Sequence, residues 1–137
     1  MIRRRSKPRR GPAGIPADEW RNPAYRMFLR EEGRCVICQA HFGGRVPTGE
    51  CDPAHTINAK TSQKGPDSSC APLCGRHHRE FDGHAPLPNH ADGSPRPRNH
   101  AAFEECYGVD MKREAAAWWG AFQTLFAKPY AACGGGL

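Results

Sequence analysis

The sequence lacks the features of a membrane-inserted or secreted chain. Its 137 residues contain no apolar run that approaches the roughly 20 residues of a membrane-spanning helix. The basic N-terminus is not followed by an apolar stretch, so we predict no signal peptide. The seven cysteines are an odd number, whereas a secreted disulfide framework more often has an even one. These absences favour a cytoplasmic protein whose thiols are free or bind a metal.

Apolar residues are scarce in the sequence, and acidic residues are absent from its N-terminal end. The hydrophobic fraction is 38%, with 15 glycines and 13 prolines, which predicts a small core and many loops. The net charge is +6, and the first ten residues have no acid but several bases, namely Arg3, Arg4, Arg5, Lys7, Arg9 and Arg10. We predict that residues 1–16 form a disordered basic arm that binds DNA, with RNA as an alternative. The other interpretation is a terminus that only aids solubility.

Local signals assign the rest of the chain to one domain over residues 17–128 and a flexible tail over 129–137. Asn22 followed by Pro23 is typical of a helix start, and Gly33 of a helix end. A first helix is therefore predicted between these residues.

The segments after this helix are predicted from turn residues and caps. A β-hairpin is expected within 34–54, loops over 56–69 and 84–99, and short helices from about 74 to 83 and over 101–107. A longer helix is expected from a cap at Asp110 to about residue 127. Its apolar stripe is predicted to be core rather than a base-stacking surface and contains Ala115, Trp118, Trp119, Phe122, Leu125 and Phe126.

Two pairs of soft metal ligands are the strongest signal in the chain. Two residues separate Cys35 from Cys38, and two residues separate Cys74 from His77. A gap of two lets both ligands of a pair point inwards from one tight turn, and four such ligands satisfy tetrahedral zinc. We therefore predict a structural zinc site that compensates for the small core.

The zinc ligand set has alternatives, because other cysteines and a second histidine lie nearby in sequence. His78 directly follows His77, so either ring could take the fourth corner. Cys51 or Cys70 could also replace one of the paired ligands, although neither has the paired spacing.

A second group of residues suggests chemistry beside the zinc. If His77 binds zinc, His78 points about 100° away around the helix. Asp82 is four residues further on and shares the face of His78, which makes a site for a divalent cation with open positions. His55 is a candidate general base near neutral pH, and Asp52 is a candidate ligand or a residue that orients His55.

These motifs together resemble the HNH endonuclease family, most closely its small phage and prophage members. The resemblance is carried by four strings: Cys35-Val36-Ile37-Cys38, Asp52-Pro53-Ala54-His55-Thr56, Lys64-Gly65-Pro66-Asp67, and Ala71-Pro72-Leu73-Cys74-Gly75-Arg76-His77-His78-Arg79-Glu80-Phe81-Asp82-Gly83. It implies a small α+β protein with a zinc-stapled ββα-metal, or treble-clef-like, core over residues 34–83 and flanking helices.

The resemblance also implies roles for single residues. His55 matches the general base of the family, and His78 with Asp82 matches the ligands of the catalytic Mg²⁺ or other divalent ion. The family's asparagine that orients the base falls by spacing on Ser69. The ligand that often precedes the base falls on Ala54, a departure for which Asp52 would compensate.

The implied activity is metal-dependent hydrolysis of DNA phosphodiester bonds, in the host cytoplasm if the chain is phage-encoded. Arg76, Arg79 and the basic arm would contact flanking phosphates. Two alternatives stay open: a non-catalytic zinc module that binds nucleic acid, and a nuclease active only with a phage or host recombination or packaging protein. The sequence determines neither the oligomeric state nor the substrate topology.

Overall fold

The structure, a computed structural model, describes residues 14–43, 46–57 and 64–126. It is a small α+β fold in which one two-stranded antiparallel sheet lies among helices. The elements in chain order are α1 (Ala17–Trp20), α2 (Pro23–Glu32), α3 (Val36–His41), β1 (Cys51–His55), a 3₁₀ turn (Asp67–Ser69), β2 (Cys70–Cys74), α4 (Gly75–Phe81), α5 (His100–Tyr107) and α6 (Met111–Phe126). Most of the predicted arm, residues 1–13, and the predicted tail over 129–137 lie outside the described residues.

The first predicted helix is confirmed at both ends. The side chain of Asn22 caps α2 by accepting a hydrogen bond from the amide of Tyr25 at 3.0 Å, and Pro23 is the first helical residue. Gly33 ends the helix, and glycine is required there because a side chain has no space, not because of the backbone conformation. A Cβ atom there would lie 2.0 Å from the carbonyl oxygen of Leu29 and 2.8 Å from the Cβ of Pro72, on β2.

Replacing Gly33 by alanine is therefore expected to destabilise the fold by about 1–3 kcal/mol, since both the last turn of α2 and its packing against β2 must shift to admit the methyl group. Gly120 is the matched control, because a Cβ atom built on this residue of α6 meets no heavy atom within 4 Å. Gly120→Ala should leave the stability unchanged or raise it by up to about 1 kcal/mol. Urea unfolding of both variants in excess zinc measures the difference. Equal stabilities would contradict the close approach at Gly33.

The hairpin predicted within residues 34–54 is wrong. Residues Val36–His41 form the helix α3, and the strand pairing instead joins β1 to β2, with Cys51 opposite Cys74 and His55 opposite Cys70. The physical reason is burial, because a helical turn places Val36 and Ile37 in the core while its first turn presents the metal-ligand pair.

The remaining helices lie close to their predicted bounds. α4 starts immediately after β2, with Cys74 at its N-cap. α5 ends at Gly108, whose φ of +65° is the left-handed conformation that glycine adopts without strain. Asp110 accepts a hydrogen bond from the amide of Arg113 at 3.2 Å and so caps α6, as predicted. Between residues 84 and 99 the chain has neither helix nor strand, which confirms the predicted loop.

The core has two parts that α6 connects. The larger part lies between the sheet, α3, α4 and α5, and the smaller part joins α2 to α6 around Tyr25, whose hydroxyl donates to the carbonyl of Cys70 at 2.8 Å. Ala115 and Phe122 are buried as predicted, but Leu125 and Phe126 are 58% and 57% exposed, so their assignment to the core is wrong. The helical periodicity continues to the end of α6, whereas the core beneath it does not. Within the described ranges, every helix is too short or too polar to span a bilayer.

Candidate metal centre and histidine site

The four predicted zinc ligands lie together at the junction of three elements. Cys35 caps α3 and Cys38 lies in its first turn, while Cys74 caps α4 and His77 lies in its first turn. All four ligand atoms are within 4.8 Å of one another. In each pair, therefore, the first ligand is the N-cap residue of a helix and the second is three residues further on.

The contacts inside the cluster fit an ion better than hydrogen bonds. The Nδ1 atom of His77 lies 3.4 Å from Sγ of Cys35, 3.5 Å from Sγ of Cys38 and 3.2 Å from Sγ of Cys74. One ring nitrogen has a single proton or lone pair, so it cannot satisfy three sulfur atoms. Bonds of tetrahedral zinc to sulfur and nitrogen place these atoms roughly 3.6 Å apart, close to the observed separations. The cluster is thus able to hold a zinc-like ion.

The acidities of the thiols also point to a cation. Burial and the neighbouring Cys35 raise the pKa of Cys38 to about 12, and burial foremost raises the pKa of Cys74. Although burial raises it, the His77 ring and the backbone amides that face the sulfur atom lower the pKa of Cys35 to about 6. Three crowded thiols cannot all ionise without a positive charge between them, and a bound metal supplies that charge.

The two alternative thiols, Cys51 and Cys70, and the second histidine are placed outside this cluster. Cys51 is buried beside it, on the wall of an apolar crevice of about 380 Å³, and Cys70 is buried on the far end of β2. His78 turns away from the sulfur atoms, so the structure brings His77 and not His78 to the fourth corner.

His78 forms a separate centre with two carboxylates. Its Nε2 atom lies 3.1 Å from Oδ2 of Asp82, one helical turn on, and its Nδ1 atom lies 4.0 Å from Oδ2 of Asp52 on β1. The hydrogen bond to Asp82 foremost raises the pKa of His78, and the same bond lowers the pKa of Asp82. Asp52 is on the side of the opposite ring nitrogen, at an ion-pair distance, so in this arrangement it does not share a ligand position with Asp82.

His55 stands at the end of β1 against a buried acid that the sequence interpretation did not assign. Its Nε2 atom lies 2.9 Å from Oδ1 of Asp67, whose side chain is only 1% exposed. Burial lowers the pKa of His55, and the hydrogen bond to Asp67 partly opposes this shift. The imidazole is therefore neutral at pH 7 and able to accept a proton.

Ser69 does not orient His55, and this part of the prediction is corrected. The hydroxyl of Ser69 donates to the carbonyl of Pro66 at 2.7 Å, and its own carbonyl accepts from the amide and hydroxyl of Thr56. Ser69 therefore closes the 3₁₀ turn, and it is the turn that carries Asp67 to the imidazole. The sequence did not reveal that His55 pairs with Cys70 across the sheet. This pairing brings Asp67, three residues before Cys70, close to His55.

Lys64 is a second residue that the sequence interpretation left without a role. Its positive charge contributes a small lowering of the pKa of His55 and of His78, after the larger causes already given. Lys64 is exposed, so its ammonium group is accessible to a ligand.

Arg76 and Arg79 lie on a different face of α4 from His78. Both are exposed and border a crevice of about 350 Å³ that also contacts Glu80 and residues 85–88. In a helix, Arg76 is rotated by roughly 160° from His78, so the two side chains leave opposite sides of α4. The bases of the predicted arm, Arg3, Arg4, Arg5, Lys7, Arg9 and Arg10, lie outside the described residues.

A third cluster of ligand types is an ion-pair network rather than a cation site. Atoms of His55, Asp67 and Cys70 are within 4.8 Å of one another. The carboxylate of Asp67, however, already faces the guanidinium groups of Arg26 at 3.3 Å and Arg21 at 3.8 Å. Two fixed positive charges oppose the binding of a third at this position.

Comparisons with known proteins return no relative for this chain. No family model, no curated protein and no solved structure matches it.

Proposed function

We propose that this protein is a divalent-metal-dependent endonuclease of the HNH type that hydrolyses DNA phosphodiester bonds. The observation that carries the proposal is that two adjacent histidines contact different groups of side chains. His77 belongs to the sulfur cluster, whereas His78 leaves it and pairs with Asp82. A side-chain nitrogen and a carboxylate oxygen 3.1 Å apart match two neighbouring corners of an octahedral ion with bonds of roughly 2.1 Å, whose corners are roughly 3.0 Å apart.

The proposal extends to the metal and the fold type. We assign zinc to the cluster of three cysteines and one histidine, because soft thiolate ligands at tetrahedral spacing favour it. The order β1, β2, α4, with the zinc-type cluster at the start of α4, supports a ββα-metal, treble-clef-like core. The cluster would thus stabilise the helix on which His78 and Asp82 stand.

The proposed mechanism gives each residue one task. The neutral imidazole of His55 takes a proton from the attacking water. His78 and Asp82 would hold a divalent cation, Mg²⁺ being the expected one, which when bound would offset charge on the phosphate and on the departing oxygen. Asp52 faces the other nitrogen of the His78 ring at 4.0 Å and adds negative charge beside the proposed cation site. Lys64, whose charge acts weakly on both histidines, would attract the phosphate.

Cleavage of supercoiled plasmid by the zinc-loaded protein tests the proposal. We expect relaxed circles in the presence of Mg²⁺ or Mn²⁺ and none in EDTA, at an EDTA exposure too brief to remove the structural zinc. Folded, zinc-loaded protein that leaves both plasmid and single-stranded DNA intact in every divalent cation would refute it.

Lys64→Ala is expected to weaken DNA binding about tenfold at moderate ionic strength and to reduce its salt dependence by about one phosphate contact. Arg76→Ala removes the same charge from the other face of α4 and is the matched control, for which we expect a change within about twofold. Fluorescence anisotropy with labelled DNA at several salt concentrations compares the two. A larger effect at Arg76 than at Lys64 would place the DNA on the wrong face of α4 for the proposed chemistry.

The second candidate function is a non-catalytic zinc module that binds nucleic acid. The observation that favours it is the small number of ligands at the proposed cation site. Ala54 offers no ligand and Asp52 is on the Nδ1 side of His78, so only His78 and Asp82 are left as side-chain ligands of the cation. Magnesium commonly keeps several water molecules, so two ligands suffice for the nuclease. An activity that appears only with a recombination or packaging protein would be a variant of the nuclease.

A further inference from the structure

The carboxylate of Asp67 is the centre of a buried network of hydrogen bonds and ion pairs on one side of His55. Oδ2 accepts from the backbone amide of Asn22 at 2.8 Å and faces Nε of Arg26 at 3.3 Å. Oδ1 faces Nε2 of His55 at 2.9 Å and Nη1 of Arg21 at 3.8 Å. With a side chain that is 1% exposed, Asp67 is held in one orientation by these groups.

All of the groups that hold Asp67, apart from His55, belong to the segment around the start of α2. Asn22 is the N-cap of this helix, Arg26 is in its first turns, and the guanidinium of Arg21 also donates to the carbonyl of Gly65 at 2.9 Å. The start of α2 and the turn that carries Asp67 are therefore fixed to each other, and the position of the carboxylate does not depend on His55.

The hydrogen bond to Asp67 also decides which ring nitrogen of His55 carries the proton. An ionised carboxylate only accepts hydrogen bonds, so the nitrogen that faces it must be Nε2–H. In a neutral ring the lone pair is then on Nδ1. The same logic operates in hydrolase triads, in which a buried aspartate fixes the tautomer and orientation of the histidine base.

We propose that Asp67 is the positioning residue of the reaction, which holds His55 as the Nε2–H tautomer and so makes Nδ1 the atom that accepts the proton from water. This inference rests on the proposed function, in which His55 is the base. If Asp67 only anchored α2, its ion pairs with Arg21 and Arg26 would be required, but either neutral tautomer of His55 would be acceptable.

Long-range ¹H–¹⁵N NMR of the zinc-loaded full chain tests the tautomer without any cleavage assay. We expect His55 of the wild-type protein to be Nε2–H at neutral pH. In Asp67→Asn, the amide oxygen can stay with Asn22 and Arg26 while the NH₂ group donates to Nε2, which moves the ring proton to Nδ1. A wild-type ring protonated on Nδ1 would overturn the proposal, and this measurement remains decisive if the variant does not fold.

The plasmid assay provides the functional arm. Asp67→Asn is expected to lower the nicking rate by about 10²- to 10⁴-fold with the zinc content unchanged, since the base presents a proton instead of a lone pair. Arg26→Gln, which weakens the anchor but leaves the carboxylate, should keep the Nε2–H tautomer and lose activity only in step with its folded fraction. An unchanged tautomer or an unchanged rate in folded Asp67→Asn would overturn the proposal. The expected tautomers without any cleavage by wild-type protein would count against the proposed function and not against the positioning of His55.

Discussion

His55→Ala is expected to lower the rate of metal-dependent DNA nicking by about 10²- to 10⁴-fold, the usual contribution of a positioned general base. Burial lowers the pKa of His55, so the wild-type imidazole is the neutral, proton-accepting form under the conditions of the assay. The zinc-type ligands are on other residues, so the variant should retain its zinc and its fold. Single-turnover nicking of supercoiled plasmid with excess protein gives the ratio of rates.

His90→Ala is the matched control for this experiment. His90 is in the loop between α4 and α5, where its backbone amide donates to Ser94, and it belongs to neither histidine centre. We expect this variant to cleave at the wild-type rate. If folded, zinc-loaded His55→Ala also cleaved at that rate, the assignment of the base would be wrong.

His77→Ala and His78→Ala are expected to differ sharply although the residues are adjacent. Loss of His77 removes one of four ligands from a cluster that connects α3 to β2 and α4. Structural zinc in small domains contributes about 10–16 kcal/mol of apparent binding free energy, and a core this small cannot replace more than a fraction of it. We therefore expect His77→Ala to bind zinc weakly and to be largely unfolded at 37 °C.

His78→Ala should instead keep one equivalent of zinc and a near-wild-type unfolding transition, because its ring faces Asp82 and Asp52 outside the cluster. It should lose nicking activity. Metal analysis by mass spectrometry and circular dichroism on heating distinguish the two variants. A stable, zinc-loaded His77→Ala together with an unfolded His78→Ala would exchange the roles of the two histidines.

The sequence was sufficient where a signal is local. Asn22 with Pro23 predicted the start of α2, Gly108 the end of α5, and the spacing of Cys74 and His77 the metal-ligand pair at the start of α4. Each depends on a few neighbouring residues whose backbone conformation or ligand chemistry is restricted. The α+β class, which the structure confirms, was implied by the resemblance to the HNH endonuclease family and not by these local signals alone.

The sequence was insufficient where partners are distant or where one pattern fits two conformations. The pair Cys35 and Cys38 suits both a hairpin knuckle and the first turn of a helix, and only the burial of Val36 and Ile37 decides for α3. The role of Asp67 depends on the pairing of β1 with β2, which no local pattern fixes.

The position of the basic residues around the site was also beyond the sequence alone. Arg76, which was predicted to contact flanking phosphates, adjoins the histidines in sequence, although helical rotation turns it to another face of α4. Lys64 is distant in sequence from His78, yet its charge acts on that ring as well as on His55. Proximity to a site follows from the packing of elements rather than from spacing along the chain.

Counting bound ions tests most directly whether His77 and His78 serve two different metal sites. Zinc-loaded wild-type protein and His78→Ala would each be titrated with Mn²⁺, and the free ion followed by electron paramagnetic resonance. We expect one zinc in both proteins, with one additional Mn²⁺ bound by the wild type and none by His78→Ala. One zinc and no Mn²⁺ site in the wild type, or equal Mn²⁺ binding by the two proteins, would contradict it.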